Sequence, residues 1–162
     1  MQNYNNIMEK HINKGVIVDS NLLLLYFIGT ANLNVIKSFK RTAKYSPEDY
    51  HILCKFMKCF KTIISTPNIL TEVYNLFKDS KNVGNKVFYQ VFLNIFLKKD
   101  EKYIRSETAI KDILFEKVGL TDSVIALLSK EDYLILTDDL KLFGILEDKK
   151  YDVINFNHLR YF

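Results

Sequence analysis

The sequence predicts an α/β protein, a three-layer α/β/α sandwich built on a central parallel sheet. Three observations lead there. Short, β-branched apolar runs such as Val16-Ile17-Val18 recur along the chain, continuous rather than alternating, as strands buried on both faces are. Helix-start signals and amphipathic stretches separate them, and strands alternating with helices imply right-handed crossovers covering both faces of the sheet. The 162 residues, 48% apolar and 26% charged, match one globular core, which excludes a disordered tail, a collagen-like chain and a coiled coil.

The elements follow in order. Residues 1–14 read as a polar, Asn-rich leader, and residues 15–162 as a single domain with no repeat and no low-complexity linker. Gly15-Val16-Ile17-Val18-Asp19 is a strand opened by glycine and closed by an acid, with a helix starting near Ser20 or Asn21. Lys37 to Tyr45 is basic and mostly polar, a surface connection. Ser46-Pro47-Glu48-Asp49 opens a helix, with Ser as N-cap, Pro at the first helical position and acids in the first turn. That helix carries Ile52, Leu53, Phe56, Met57 and Phe60 at helical spacing, and Thr62-Ile63-Ile64-Ser65 is the second strand. Thr66-Pro67 repeats the helix-start grammar ahead of an apolar face formed by Ile69, Leu70, Val73, Leu76 and Phe77. A break near Gly84 precedes a helix over Lys86–Leu97, and a polar loop leads to another from Ser106 to Val118. Thr121-Asp122 opens a further helix through Val124, Ile125, Leu127 and Leu128. Tyr133–Thr137 is the third strand, Leu140–Leu146 a short helix and Val153–Phe156 the last strand.

Composition narrows the function classes. The longest apolar run, Leu22–Ile28, is seven residues, far below a bilayer span, and it follows charged Asp19 rather than a basic leader, unlike a signal peptide. The expectation is a soluble, cytoplasmic protein with no membrane partner. Cys54 and Cys59, five apart on a helix, point about 140° apart, which suits neither a local disulfide nor a metal clip; they read as buried, reduced thiols. The net charge is +4, and 20 of the 23 basic residues are lysines, suited to phosphate contacts more than to bidentate base reading. His11, His51 and His158 lack metal-ligand spacing, and the chain has no Gly-rich phosphate loop or serine elbow.

The acids carry the chemistry. In open α/β sheets ligands bind beyond the carboxyl ends of the strands. Asp19 ends the first strand, Glu72 lies in the second turn after the second, Asp122 starts the helix leading to the third, and Asp138 and Asp139 follow the third directly. Singly, Asp122 and Asp139 read as helix caps and Glu72 as a solvated face residue. Asp19 is harder to explain away, because a charge seldom closes a central apolar strand without a task. Together they repel, and a divalent cation is what offsets that repulsion.

The blocks Val16-Ile17-Val18-Asp19-Ser20-Asn21, Ser65-Thr66-Pro67-Asn68-Ile69-Leu70-Thr71-Glu72-Val73, Gly119-Leu120-Thr121-Asp122-Ser123-Val124-Ile125 and Leu134-Ile135-Leu136-Thr137-Asp138-Asp139 resemble, in order, the PIN-domain ribonucleases, and Val153-Ile154-Asn155-Phe156 is similar to that family's closing strand. The resemblance implies a PIN-like fold and a metal-dependent endoribonuclease cleaving single-stranded RNA with Mg2+ or Mn2+. Many small bacterial members are toxins of toxin–antitoxin pairs, so an antitoxin protein and a second copy of the chain are the partners it suggests. Carried over by motif, Asp19, Glu72, Asp122 and Asp139 match the acidic quartet that holds metal, and Asn21 and Thr137 match its polar helpers. The Ser/Thr-x-acid pattern and strand alternation select Asp139 over Asp138, leaving Asp138 a supporting or helix-capping acid. The chain departs from the compact toxins in its leader and in the long stretch between Asp19 and Glu72.

A metal-activated water attacking phosphorus, with the 3′ oxygen leaving, is the mechanism this implies. Lys37, Lys40, Arg41 and Lys44 surround Phe39 and Tyr45; the segment reads first as a solvated connection and second as an RNA contact whose aromatic rings stack on bases. Two other readings are an inactive PIN-like scaffold binding RNA or a protein, and an aspartyl-phosphate-type phosphatase. The latter wants an acid where Asn21 stands.

Overall fold

The computed structural model describes residues 2–78, 86–97, 100–131 and 133–160, and within them the chain forms the expected α/β sandwich: five parallel strands flanked by helices. The strands are β1 (Val16–Val18), β2 (Ile63–Ser65), β3 (Asp100–Glu101), β4 (Leu134–Thr137) and β5 (Val153–Asn155), in the order β3-β2-β1-β4-β5. In β1, β2, β4 and β5 only Ile63 is less than fully buried, which is why these strands read as continuous apolar runs. The register pairs Ile17 with Ile64 on one side and with Ile135 on the other, and Thr137 with Asn155.

Helices α1 (Gln2–His11), α2 (Ser20–Ala31), α3 (Pro47–Lys58), α4 (Pro67–Lys78), α5 (Lys86–Phe96), α6 (Ser106–Ile110), α7 (Phe115–Lys130), α8 (Leu140–Asp148) and α9 (Phe156–Leu159) connect and cover the strands. Helix α2 is apolar nearly all round, with Leu22–Leu25, Phe27 and Ile28 buried, and it packs against α3, α4 and α5. The Ser46 start behaves as its sequence suggests. Ser46 and Asp49 form a reciprocal capping box with Pro47 next to the cap. Asp49 is also gripped by Arg160, whose Nε and Nη2 donate to its two oxygens at 2.8 Å, so the C-terminal segment is tied to the start of α3.

Several elements differ from the sequence expectation. The leader is helix α1, whose Tyr4, Ile7, Met8 and His11 lie at helical spacing and face the core; Lys10 and His11 bond Asp152 ahead of β5. Strand β3 replaces part of the polar loop, and its two exposed acids give no hydrophobic signal because it is an edge strand held by backbone pairing to β2. The helix expected from Ser106 to Val118 stops at Ile110; a new one starts at Phe115 and breaks at Gly119, where φ is +83°, so the Thr121-Asp122 start is real but is preceded by a helical turn. Phe156 opens α9 instead of ending β5. The break near Gly84 lies outside the described residues. Cys54 is half-buried and Cys59 exposed, both as free thiols, so they are not the buried pair expected, because Cys59 sits at the solvent end of α3.

Helices α2 and α3 approach closely at Gly29, where an added Cβ would lie 2.3 Å from Cδ2 of Tyr50. Gly29→Ala is therefore expected to cost about 1–3 kcal/mol by forcing the ring away. Thermal denaturation should show that cost shrinking in a Tyr50→Ala background; an equal cost in both backgrounds would place the strain elsewhere.

Candidate functional site

Chain order reverses between β1 and β4: β2 and β3 lie to one side of β1, β4 and β5 to the other. The carboxyl ends of such a pair open a crevice. Asp19 closes β1, and its N–H donates to the Leu136 carbonyl of β4 at 2.9 Å. Although it precedes α2, Asp19 does not cap it; its Oδ2 accepts the Thr137 hydroxyl at 2.6 Å. At 6% exposure, burial pushes this carboxyl up to about 6; the Thr137 hydrogen bond opposes that rise, and the nearby carboxylates of Asp138 and Glu72 add to it.

The other three acids of the quartet surround it. Glu72, half-buried on α4, is not a purely solvated residue: its Oε2 accepts the Ser20 hydroxyl at 3.0 Å. Asp122 lies three residues past the Gly119 break, half-buried, with no hydrogen-bond partner among the described residues. Burial, followed by the charges of Asp19, Glu72 and Asp139, raises its carboxyl to about 7, and only Lys141 opposes. Asp139 is the N-cap of α8, with Oδ1 accepting the amides of Lys141 and Leu142 at 2.7 and 3.0 Å. Its own N–H donates to the Thr137 hydroxyl at 3.0 Å.

Asp138 points the other way, as strand alternation requires. Its side chain is 4% exposed, and Oδ2 accepts the Tyr45 hydroxyl at 2.7 Å and the Lys44 ammonium. Its Oδ1 is buried without a partner among the described residues. Asp138 is thus not a helix cap; that task falls to Asp139. Burial and the Asp138 charge together push the Tyr45 phenol far above its usual range. Asn21 is half-buried and makes no hydrogen bond among the described residues.

The basic connection corrects a second expectation. Phe39 and Tyr45 are buried core residues and cannot stack on bases; Thr42 holds the segment in turns through the carbonyl of Ile36. Lys37, Lys40 and Arg41 are exposed and reach none of the carboxylates, whereas Lys44 is engaged with Asp138. Sequence reading missed Ser20, Tyr45 and Lys141 as neighbours of the site. It also missed a cavity of about 540 Å3 beside Glu72 and Asp122, between α4, α7 and the segment after β3.

The donors here are all oxygen, as Mg2+ and Mn2+ prefer. The Asp122 carboxylate, without a hydrogen-bond partner among the described residues, and the raised proton affinity of Asp19 and Asp122 mark negative charge that a divalent cation would neutralise. Among the described residues no group of three or more His, Cys, Asp or Glu is gathered closely enough to hold a metal ion. No protein-family model, no curated protein and no solved structure matches the chain.

Asp19 and Asp122 bind protons more tightly in the folded chain than in the unfolded one, where a carboxyl titrates near 4. The resulting stability is complete below about pH 4 and is lost as pH rises through about 6 and 7. Asp122→Asn carries no such penalty. In chelator, its melting temperature relative to wild type should rise by a few degrees between pH 5 and pH 8; a constant difference would mean that Asp122 titrates normally.

Proposed function

We propose that the protein is a metal-dependent nuclease that cuts single-stranded RNA. One observation carries the reading: Asp19, Glu72, Asp122 and Asp139 lie at the carboxyl edge of β1 and β4, where burial first and then the charges of the other three make Asp122 hold its proton more tightly, and Asp122 has no hydrogen-bond partner among the described residues. These four residues would hold Mg2+ or Mn2+. Such an ion supplies Lewis acidity beside a phosphodiester and acidifies water.

The chain's own groups orient the donors. Thr137 fixes Asp19, Ser20 fixes Glu72 and the first amides of α8 fix Asp139, each through one carboxylate oxygen. Asp122 is held by no hydrogen bond among the described residues, and Lys141 sits near enough to temper its charge. A water attacking phosphorus displaces the 3′ oxygen without using the ribose 2′-hydroxyl. The order of the sequence blocks, which resembles the PIN-domain ribonucleases, supports the same chemistry and extends it to a toxin paired with an antitoxin. A scaffold that binds RNA without cutting it is the second reading, favoured by the open arrangement of the acids among the described residues.

Purified protein should cut single-stranded RNA in magnesium or manganese, spare it in chelator, and leave 5′-phosphate and 3′-hydroxyl ends. Mass spectrometry that finds 2′,3′-cyclic phosphates would reject this chemistry.

Metal at about 100 times its dissociation constant should stabilise the fold by about 2.7 kcal/mol. Asp19→Asn should abolish both that response and cleavage while the protein stays folded. A folded, metal-responsive wild type that leaves varied RNA intact would favour the scaffold.

A further inference from the structure

The cavity beside the carboxylates has a chemistry of its own. Along α4, Asn68, Thr71, Glu72 and Asn75 follow one another at i, i+3, i+4 and i+7, so one stripe of the helix is polar while Ile69, Val73 and Phe77 bury the opposite side. The stripe forms one wall. Val118 and Leu120 of α7 contribute an apolar wall, and Asp122 continues it toward the acids.

Two features of this groove are left without protein partners. The side-chain amides of Asn68 and Asn75 make no hydrogen bond among the described residues. Tyr103 lines the groove with 73% of its surface exposed, and its ring neither stacks nor hydrogen-bonds with any of the described residues. A large aromatic ring held out to solvent beside unspent amides matches the way unpaired nucleobases are bound. The ring face stacks sequence-tolerantly, and amides, which both donate and accept, read the base edge. Lys102 and Arg105 flank Tyr103; their pairings with Asp100 at 3.9 Å and Glu107 at 3.2 Å are exposed and weak, so phosphates compete for them. A volume of about 540 Å3 lies within the range of about 300–1,000 Å3 for small-ligand sites, with room for one nucleotide.

We propose that this groove is a nucleobase subsite: an unpaired base of single-stranded RNA stacks on Tyr103 with its edge toward Asn68 and Asn75, and this places the next phosphate toward Glu72 and Asp122. The assignment of that phosphate as the one cleaved rests on the nuclease reading; the base site does not. A base stacked in a duplex cannot enter, so the groove also selects single strands.

The test measures fluorescence anisotropy of labelled RNA homo-oligomers of about eight nucleotides on full-length Asp19→Asn protein, which binds without turnover. Tyr103→Ala should weaken binding about 10-fold, the scale of one lost base stack, and Tyr103→Phe should restore it, because the face rather than the hydroxyl is used. Asn75→Ala should compress the affinity differences among the four bases, and duplex RNA should compete poorly. Binding that ignores Tyr103→Ala, or equal competition by duplex, would overturn the subsite.

Cleavage assays on the wild-type background separate the two ideas. Metal-dependent cutting whose KM ignores Tyr103 keeps the nuclease and removes the subsite. Tyr103-dependent binding by a protein that cuts nothing keeps the subsite and removes the nuclease. Absence of RNA binding removes both.

Discussion

The arrangement at the sheet edge depends on one buried hydroxyl. Thr137 donates to Asp19 Oδ2 and accepts from the Asp139 N–H, so a single oxygen joins the end of β1 to the turn that follows β4. Leaving the Thr137 hydroxyl unpaired would cost about 1–3 kcal/mol, because that side chain is fully buried. That constraint fixes the exit of the chain from β4. Residue 139 must turn back over β1, where its carboxylate meets the first amides of α8, and residue 138 must face away. The backbone bond from Asp19 to Leu136 holds the two strands in the register that makes this possible.

The fold bears an electrostatic cost at this edge and opposes it with few cations. Lys44 and the Tyr45 hydroxyl attend to Asp138 on one side, and Lys141 tempers Asp122 on the other, but Asp19 is attended by neutral donors, the Thr137 hydroxyl and the Ser20 backbone N–H. Its tightened hold on a proton therefore reflects burial first and like charges second. Stability must come from elsewhere: from the almost wholly buried α2, from the strands beside it, and from the Arg160–Asp49 fork that ties the chain's last helix to α3. Removing charge at the centre should therefore leave the framework standing, since no core contact depends on it.

Much of this framework was legible in the sequence because it rests on signals within a few residues of one another. The β-branched runs of β1, β2, β4 and β5, the Ser46-Pro47 start and the acids at strand ends were all of that kind. What escaped was set by distance or by backbone. Strand β3 has exposed acids and exists because its backbone completes an edge. Phe39 and Tyr45 looked like solvent-facing aromatics in a basic run, yet each anchors that run to the core, and Tyr45 finds its partner Asp138 far along the chain. The α1 pattern of Tyr4, Ile7, Met8 and His11 was present but diluted by asparagines. The groove escaped because Tyr103 and the polar stripe of α4 acquire meaning only when α7 closes the other wall.

The repulsion among the acids also accounts for the open form of the site. Three of the carboxylates settle on nearby donors that lower their energy: Asp139 on two helix amides, Glu72 on Ser20, Asp19 on Thr137. Each of these engages one oxygen and leaves the carboxylate's orientation defined. Asp122 has no such donor among the described residues; burial first and its neighbours' charges second push its carboxyl up to about 7, above the value of about 6 for the more deeply buried Asp19. On the proposed reading, a cation would find three donors already oriented and a fourth, Asp122, whose charge Lys141 tempers but no hydrogen bond among the described residues relieves. The gain on binding would therefore be concentrated at Asp122. In the proposed reading, that residue couples metal capture to the groove, because it belongs to both the acidic cluster and the wall on which the RNA base would rest.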